Sequence, residues 1–216
     1  MDDDRKYGVT IQALRRMPYY LQQLKILHKN NIETVSAPKI AELLHLNEVQ
    51  VRKDFASVSL SRGKPKAGFS VSELITNMEK LLGYDNTEEA VLVGAGSLAH
   101  ALLAYEELKT YGIKIVAAFD NNAAYIGMEI NGTKILSAEK VSDLCRRMKV
   151  HIGIITVPAA QAQIVCDQLV AGGVLAIWNF APVHLSVPDH ILVQNENLAA
   201  SLAVLSKHLK KTIDKI

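Results

Sequence analysis

The feature that most constrains the fold is a short apolar run that leads directly into a loop of small residues. Residues 90–93 have the continuous apolar character of a buried parallel strand, and the loop Gly94-Ala95-Gly96-Ser97-Leu98-Ala99 follows at once. The apolar residues after the loop, as far as Leu108, predict a helix. A second apolar run, residues 113–119, ends at Asp120, 21 residues beyond Ala99. A strand, a glycine loop, a helix and an acid in this order predict a dinucleotide-binding unit.

Each position of this pattern has a mechanical reason. Gly94 permits a tight turn, Gly96 lets the backbone approach a pyrophosphate, and the small Ala99 lets the helix pack closely on the strand. The N–H groups at the start of the helix would then meet the phosphates. Asp120 can accept both ribose hydroxyls and would repel a 2′-phosphate, so the predicted cofactor is NAD(H) and not NADP(H).

Further strands and helices alternate along the chain. A strand at 152–157, a helix at 159–169 and a strand at 174–178 predict an α/β fold with a Rossmann-like, doubly wound parallel sheet. Ligands in such sheets bind beyond the carboxyl ends of strands, and an apolar turn there would shelter a nicotinamide. Two turns that contain proline, at residues 156–158 and 179–182, are expected there, and simple chain reversal is the alternative interpretation of both. The predicted cofactor-binding residues are Gly94, Ala95, Gly96, Ser97, Leu98, Ala99, Asp120, Thr156, Val157, Pro158 and Phe180.

Positive charge is concentrated towards the start of the chain. The net charge is only +2, yet residues 5–66 carry twelve Lys or Arg against four Asp or Glu. This asymmetry favours a part of the chain that binds a polyanion, with a solvated basic face as the alternative.

Three helices are predicted in this basic segment. An apolar stripe is interrupted by Pro18, so the main part of the first helix is expected at 18–29. A short second helix is expected from a Ser36 cap through residue 44, and Asn47 would begin the third. Two short helices with a tight turn between them are typical of a helix-turn-helix, whose second helix reads base edges.

The third helix has an apolar side and a polar side. The side expected to pack inward carries Val51, Phe55 and Val58. The side expected to face outward carries Gln50, Lys53, Asp54 and Ser57, flanked by Arg52. The basic, turn-rich segment 61–69 predicts the β-wing of a winged helix. The predicted DNA contacts are Lys39, Gln50, Arg52, Lys53, Arg62, Lys64 and Lys66, and an ordinary helical pair beside a surface hairpin is the alternative.

The chain is expected to divide near residue 85, after an amphipathic helix at 71–82. The predicted parts are an N-terminal winged-helix domain (1–85), a Rossmann NAD(H)-binding domain (86–194) and a C-terminal helix (195–216). That last helix has a narrow apolar stripe that needs a partner surface, either on its own sheet or on a second subunit. The stripe consists of Leu198, Leu202, Leu205 and Leu209.

Several classes of protein are disfavoured. No apolar stretch is long enough to cross a membrane, and the acidic residues 2–4 are unlike a leader peptide, so a cytoplasmic protein is expected. Cys145 and Cys166 lack metal-ligand spacing and are interpreted as buried thiols, and no metal site is predicted.

Over essentially its whole length, the sequence resembles the Rex family of redox-sensing transcriptional repressors. The resemblance lies in residues 16–21, residues 50–55, the glycine loop with Tyr105, and residues 156–159. Its most specific pieces are Asn179-Phe180-Ala181-Pro182-Val183 and Leu185-Ser186-Val187-Pro188.

This resemblance implies a homodimer with exchanged C-terminal helices that binds a palindromic operator and is released by NADH. It also implies that Arg16 and Tyr105 couple the cofactor to the DNA-binding domain, with Tyr105 close to the cofactor. Asn197 stands where the family has an Asp of the same coupling group, which removes a charge that could pair with Arg16. Ser97 and Ala99 replace the usual Asn and Gly.

The predicted function is therefore a repressor that binds operator DNA when NADH is low, with no catalytic residue. The alternative is an NAD-dependent dehydrogenase with an accessory basic domain. Its acid–base residue would have to be His184, since His151 precedes its strand and lies at the wrong end of the sheet.

Overall fold

The computed structural model describes residues 9–59 and 68–214. The chain forms two compact units, Met1–Asn86 and Thr87–Ile216.

The N-terminal unit packs helices around an aromatic core. Its helices are α1 (Ile11–Lys29), α2 (Ala37–Leu44), α3 (Glu48–Val58) and α4 (Val71–Leu82), and strands β1 (Thr34–Val35) and β2 (Phe69–Ser70) pair antiparallel. The rings of Tyr20 and Phe55 meet edge to face with centroids 5.4 Å apart, and Phe55 meets Phe69 in the same way at 5.3 Å. Helices α2 and α3 form the helix-turn-helix that the sequence predicts, and the β1–β2 pair joins the segment before α2 to the segment before α4. The predicted wing lies outside the described residues, except for its last two positions.

Helices α2 and α3 have the N-cap residues that the sequence predicts. Ser36 Oγ accepts a hydrogen bond from Lys39 N, and Asn47 Oδ1 accepts from the backbone N–H of Val49 and Gln50. These caps satisfy first-turn donors that have no partner inside the helix, and they fix the starts of α2 and α3.

The predicted break at Pro18 is wrong, because α1 is continuous through it. Proline in a helix interior removes one backbone hydrogen bond and costs about 3 kcal/mol. Buried residues on both sides of Pro18, among them Met17, Tyr20 and Leu24, pack on one core. Burial of such side chains contributes about 1.5–3 kcal/mol each, so packing outweighs the local penalty.

The C-terminal unit contains a seven-stranded sheet in the order β5-β6-β4-β3-β7-β8-β9. All neighbouring strands are parallel except β5, which is antiparallel to β6. The strands are β3 (Glu88–Val93), β4 (Ile113–Asp120), β5 (Glu129–Ile130), β6 (Thr133–Ser137), β7 (Ile152–Ile155), β8 (Ala176–Asn179) and β9 (Leu192–Asn195). The helices are α5 (Ser97–Ala104), α6 (Glu107–Thr110), α7 (Val141–Met148), α8 (Ala159–Ala171) and α9 (Leu198–Ile213).

The strand order confirms the predicted doubly wound α/β fold. From the central β3, the chain builds outward through β4 and β6, then returns to the other side of β3 with β7, β8 and β9. The order therefore reverses between β3 and β7, which is where open sheets of this type bind ligands.

Three sequence-based boundaries in this unit are corrected. The helix predicted through residue 108 ends at Ala104, because Tyr105 leaves the helical conformation, and α6 is a separate turn. The strand expected to reach Val157 ends at Ile155. The last helix begins at Leu198 and not at residue 195, because residues 192–195 pair with β8 as an edge strand.

Among the described residues, no helix combines the length and apolar character needed to cross a membrane.

Candidate cofactor cleft and nucleic-acid-binding helix

A cleft of about 850 Å³ opens where the strand order reverses. It lies at the carboxyl ends of β3, β4 and β7, as expected for a ligand site in this fold. The predicted cofactor residues that line it are Gly94, Gly96, Asp120, Thr156, Val157 and Pro158. Residues distant in sequence thus meet at the point that the glycine pattern predicts.

Gly94 makes the sharp turn out of β3. Its φ is +105°, and a Cβ there would lie 2.9 Å from the backbone carbonyl of Thr156. Its N–H donates to Phe119 O at 2.7 Å, and the Thr156 hydroxyl donates towards Gly94 O at 2.9 Å. Glycine is required here because both the conformation and the space exclude a side chain.

Gly96 has a different role at the start of α5. Its backbone is extended, and a Cβ there would meet nothing within 4 Å. Among the described residues no side chain caps α5, so the first-turn N–H groups at Ser97 and Leu98 have no side-chain partner beside the cradle. Uncapped donors together with the helix dipole suit an anion such as a pyrophosphate.

Asp120 is held at the end of β4 by two backbone donors. Oδ2 accepts from Ala95 N at 2.6 Å and Oδ1 accepts from Asn122 N at 2.7 Å. The carboxylate therefore supports the glycine loop directly. Each oxygen keeps further acceptor capacity, which is what ribose hydroxyls require.

The remaining predicted cofactor residues lie elsewhere. Ala95 and Ala99 are fully buried and bring α5 close to the sheet. Tyr105, at the other end of α5, is exposed and lines a second cleft of about 560 Å³, and a hydrogen bond with Tyr111 raises the pKa of its hydroxyl. Phe180 is half-buried against Trp178, with ring centroids 4.7 Å apart, and is not among the residues described as lining the first cleft.

Sequence reasoning missed several polar residues of the cleft. The missed residues are Asn121, Asn122, Tyr125, Glu139, Gln161 and Gln168. Two signals point to them: the first two follow the carboxyl end of β4, and the two glutamines lie seven residues apart on one face of α8.

Asn179 explains why the turn after β8 has a fixed shape. Its buried Nδ2 donates to Val183 O and to Asn195 Oδ1, both at 2.8 Å, while its Oδ1 accepts from Ala181 N at 3.0 Å. One side chain thus ties the turn to β9, and Phe180 is positioned between these anchors.

Helix α3 carries the surface predicted to contact DNA. Gln50, Arg52 and Lys53 are exposed along it, and Arg52 forms an ion pair with Glu48. On α2, Lys39 is exposed and pairs with Glu42 at 3.0 Å. Arg62, Lys64 and Lys66 of the predicted wing lie outside the described residues.

The prediction that Asp54 faces outward is wrong, because its side chain is only 4% exposed. Arg16 donates to Oδ2 from Nε at 2.8 Å and to Oδ1 from Nη2 at 3.1 Å, and Tyr20 OH donates to Oδ2 at 2.8 Å. Burial and the carboxylate raise the pKa of Tyr20, and the same carboxylate raises the pKa of Arg16. Position 54 lies at the border between the apolar and polar sides of α3. Its side chain turns inward because Arg16 and Tyr20 of α1 supply hydrogen-bond donors there.

The predicted coupling residues have partners of their own. Arg16 is engaged by Asp54 within the N-terminal unit. Asn197 caps α9, since its Oδ1 accepts from Ala200 N at 3.0 Å. In the described part of the chain, no cluster of three or more His, Cys, Asp or Glu could hold a metal ion.

The comparisons with known proteins match both units. Residues 9–56 match the family model described as "Putative DNA-binding protein N-terminus", and residues 85–183 match the "CoA binding domain" model. The protein named redox-sensing transcriptional repressor Rex from Bacteroides fragilis is 40% identical over 197 residues, which cover 91% of this chain and 89% of that protein. The protein of the same name from Clostridium beijerinckii is 38% identical, covering 94% and 95%.

Solved structures of RSP, a Rex-family repressor, are similar over nearly the whole chain. RSP in complex with β-NAD⁺ and operator DNA gives a TM-score of 0.88 at 33% identity, covering 96% of this chain and 95% of that one. RSP in complex with β-NADH gives 0.84 at 32% identity, covering 96% and 98%.

Proposed function

The chain belongs to the Rex family of redox-sensing transcriptional repressors, and on that premise we propose that it binds a palindromic operator duplex when NADH is scarce and leaves it when NADH binds. One observation carries the proposal: a single chain combines an open glycine cradle at a sheet switch point with a helix-turn-helix whose second helix exposes Gln50, Arg52 and Lys53.

The chain's own residues would hold NAD(H) in the cleft. Gly96 and the first turn of α5 receive the pyrophosphate, and Asp120 accepts from the ribose hydroxyls. Val157 lines the cleft beside Thr156 and Pro158, giving an apolar wall for the nicotinamide. The oxidised ring is cationic and the reduced ring neutral, so burying the oxidised form without a compensating charge is costly, and the wall favours NADH.

DNA would be gripped by α3 in the major groove. The exposed Gln50 suits a base edge, Arg52 and Lys53 suit phosphates or guanine, and Lys39 would position α2 on the backbone. Arg62, Lys64 and Lys66 are proposed to extend this contact along the phosphates or into the minor groove.

A homodimer would present two such helices to the two halves of a palindrome. Helix α9 carries exposed apolar side chains along one side, including Leu202, Leu205 and Leu209 at 57–63% exposure. Its exchange between subunits would bury this stripe.

A repressor role is favoured over catalysis. The relatives are named as transcriptional repressors. His184, the one acid–base candidate that the sequence offers, is exposed and is not among the residues described as lining the cleft. We therefore propose that the bound coenzyme is sensed and not turned over.

Switching requires NADH to bind the DNA-incompetent state more tightly than the DNA-competent one. A ligand with equal affinity for both states shifts nothing, whereas a shift from 1:99 to 99:1 requires a preference of about 10⁴-fold. The Gly96 cradle would bind the pyrophosphate of either coenzyme equally well. The difference between the effects of NADH and NAD⁺ on the protein must therefore arise at the nicotinamide end.

The decisive experiment measures duplex binding at a series of NADH to NAD⁺ ratios, at constant total coenzyme and constant salt. The duplex is first selected by the protein itself from a randomised library. We expect binding to fall as the ratio rises. Equal binding at every ratio would refute redox sensing, and failure to select any duplex would refute DNA recognition.

A further inference from the structure

We propose that Asp54 is a positioning residue for base recognition, whose buried carboxylate fixes the orientation of the Gln50 amide on α3. This inference rests on the function proposed above, in which α3 lies in the major groove.

The Asp54 carboxylate is surrounded by donors from two helices. From α1, Arg16 donates to both oxygens and Tyr20 donates to Oδ2. From α3 itself, Gln50 Nε2 donates to Oδ1 at 3.1 Å. Each oxygen therefore accepts two hydrogen bonds, and the bidentate Arg16 offsets the charge.

The contact with Gln50 has a consequence for its amide. An ionised carboxylate only accepts hydrogen bonds, so the nitrogen end of the amide must face Asp54. A flipped amide would set Oε1 against Oδ1, oxygen against oxygen. Asp54 therefore selects one of the two amide orientations, and Arg16 and Tyr20 keep the carboxylate itself from rotating.

The selected orientation suits one kind of base. One N–H of Gln50 is committed to Asp54, which leaves the second N–H and Oε1 for a partner in the groove. A donor and an acceptor side by side match N7 and N6 of adenine. Gln50 is exposed, so this edge is available, and because it is oriented in advance it loses less side-chain entropy on binding.

The test compares base preference between variants. The wild-type protein selects a duplex from a randomised library, and the base pair read by Gln50 is located as the position where Gln50→Ala loses preference. Bidentate amide contacts discriminate by about 10- to 100-fold. We expect Asp54→Asn to lower the preference for adenine at that position about five-fold or more. An asparagine can present either a donor or an acceptor to Gln50.

A purely structural role would give a different pattern. Partial unfolding lowers affinity for the selected duplex and for an unrelated duplex in parallel. Loss of amide orientation lowers only the preference for the selected base and leaves unrelated duplex bound as before. In the double variant Asp54→Asn/Gln50→Ala, we expect the preference of Gln50→Ala alone, because Asp54 acts through Gln50.

Two further variants complete the design. Glu48→Gln makes the same charge change on the same helix, at an exposed residue paired with Arg52, and should leave the preference at this base pair unchanged. Tyr20→Phe removes one of the hydrogen bonds to Asp54 but keeps the ring that packs on Phe55, so it should reduce the preference partially. It serves as the test if Asp54→Asn does not fold.

Full adenine preference in folded Asp54→Asn, or in Tyr20→Phe where the first variant does not fold, would overturn the inference. This result is distinct from failure of the proposed function, in which the wild-type protein selects no duplex.

Discussion

Gly94 and Gly96 lie two residues apart, yet the structure predicts opposite effects of substitution. At Gly94, an alanine would be strained by the φ of +105° and would contact the Thr156 carbonyl. We expect Gly94→Ala to lower the free energy of unfolding by about 1–3 kcal/mol. Thermal or urea unfolding measures this effect, and wild-type stability in the variant would contradict the assigned turn.

At Gly96, a side chain would enter open space, so Gly96→Val should fold normally but fill the cradle for the pyrophosphate. We expect NADH binding to be lost, and with it the release of DNA by NADH. Trp178, the one tryptophan of the chain, reports binding by fluorescence energy transfer to NADH. An unchanged NADH response would remove the phosphate-loop assignment.

The two thiols predicted to be buried are free and buried. Burial raises the pKa of both from 9.0 to about 11, with the negative charge of Asp167 adding to the effect at Cys166. The thiols of the unfolded state therefore lose their protons at a lower pH than those of the folded state. The stability that the neutral buried thiols contribute is complete below pH 9 and is lost as the pH rises towards 11. We expect a loss of roughly 2 kcal/mol per thiol.

Urea unfolding between pH 8 and pH 11 measures this dependence. Other groups titrate in the same range, so the control is the variant Cys145→Ala/Cys166→Ala, whose stability should fall less steeply. Parallel curves for the two proteins would contradict the assignment.

Single residues also show where sequence reasoning fails. The positions of Gly94 and Gly96 in the cleft were predictable because each meets a backbone requirement that is local to one loop, and the position of Asp120 was predictable from its spacing after that loop. Asp54 was not, because its position on α3 fits either side of the helix, and its partners Arg16 and Tyr20 are more than thirty residues away. The hydrophobic periodicity of a helix predicts which side is apolar. It does not predict which hydrogen-bond donors of another helix will pack against that side.

Among the helices, α3 is the one in which a single substitution tests DNA contact most directly. Lys53 is exposed on it and would neutralise a phosphate. We expect Lys53→Ala to weaken binding to all duplexes similarly and to reduce the slope of log affinity against log salt by about 1.

The control for Lys53 is Lys134→Ala, an identical charge change at an exposed position of β6 in the other unit. If Lys53→Ala keeps the wild-type slope of log affinity against log salt, Lys53 does not contact a phosphate and the proposed docking of α3 is contradicted. NADH titration should be the same in both variants.

The elements were predictable to the extent that their signals are local. Helix α4 has the predicted bounds, since an apolar stripe fills it between the Ser70 cap and Gly83. The β5–β6 hairpin was missed although its turn, Asn131-Gly132, has both residues at positive φ, as that dipeptide favours. Strand β9 was missed because an exposed edge strand of four residues, pairing only with β8, has little apolar pattern.

For the whole molecule, the doubly wound sheet could be predicted because alternating strands and helices permit few topologies. The dimer stays a prediction, and within the structure it rests on an exposed apolar surface. Helix α9 is amphipathic, yet the apolar side chains described along it are more than half exposed. A stripe of this kind is unfavourable in water unless a partner covers it.

Dimerisation and operator binding should therefore fail together when this stripe is charged. Leu209 lies on the stripe at 57% exposure, and Leu209→Glu would place an uncompensated carboxylate in the proposed interface. We expect a monomer by sedimentation at micromolar concentration, with operator affinity reduced at least ten-fold because one half-site is no longer held by a linked second copy.

The matched control is Ala200→Glu, which introduces the same charge nine residues earlier. Nine residues are two and a half helical turns, so residue 200 lies on the opposite side of α9. This variant should remain dimeric and bind the operator normally. The NADH affinity of Leu209→Glu distinguishes two kinds of dimer. An unchanged affinity would mean that each subunit forms its cleft alone. A reduced affinity would mean that α9 of the partner subunit contributes to the cleft. A dimeric Leu209→Glu protein would show that the stripe is covered by another surface.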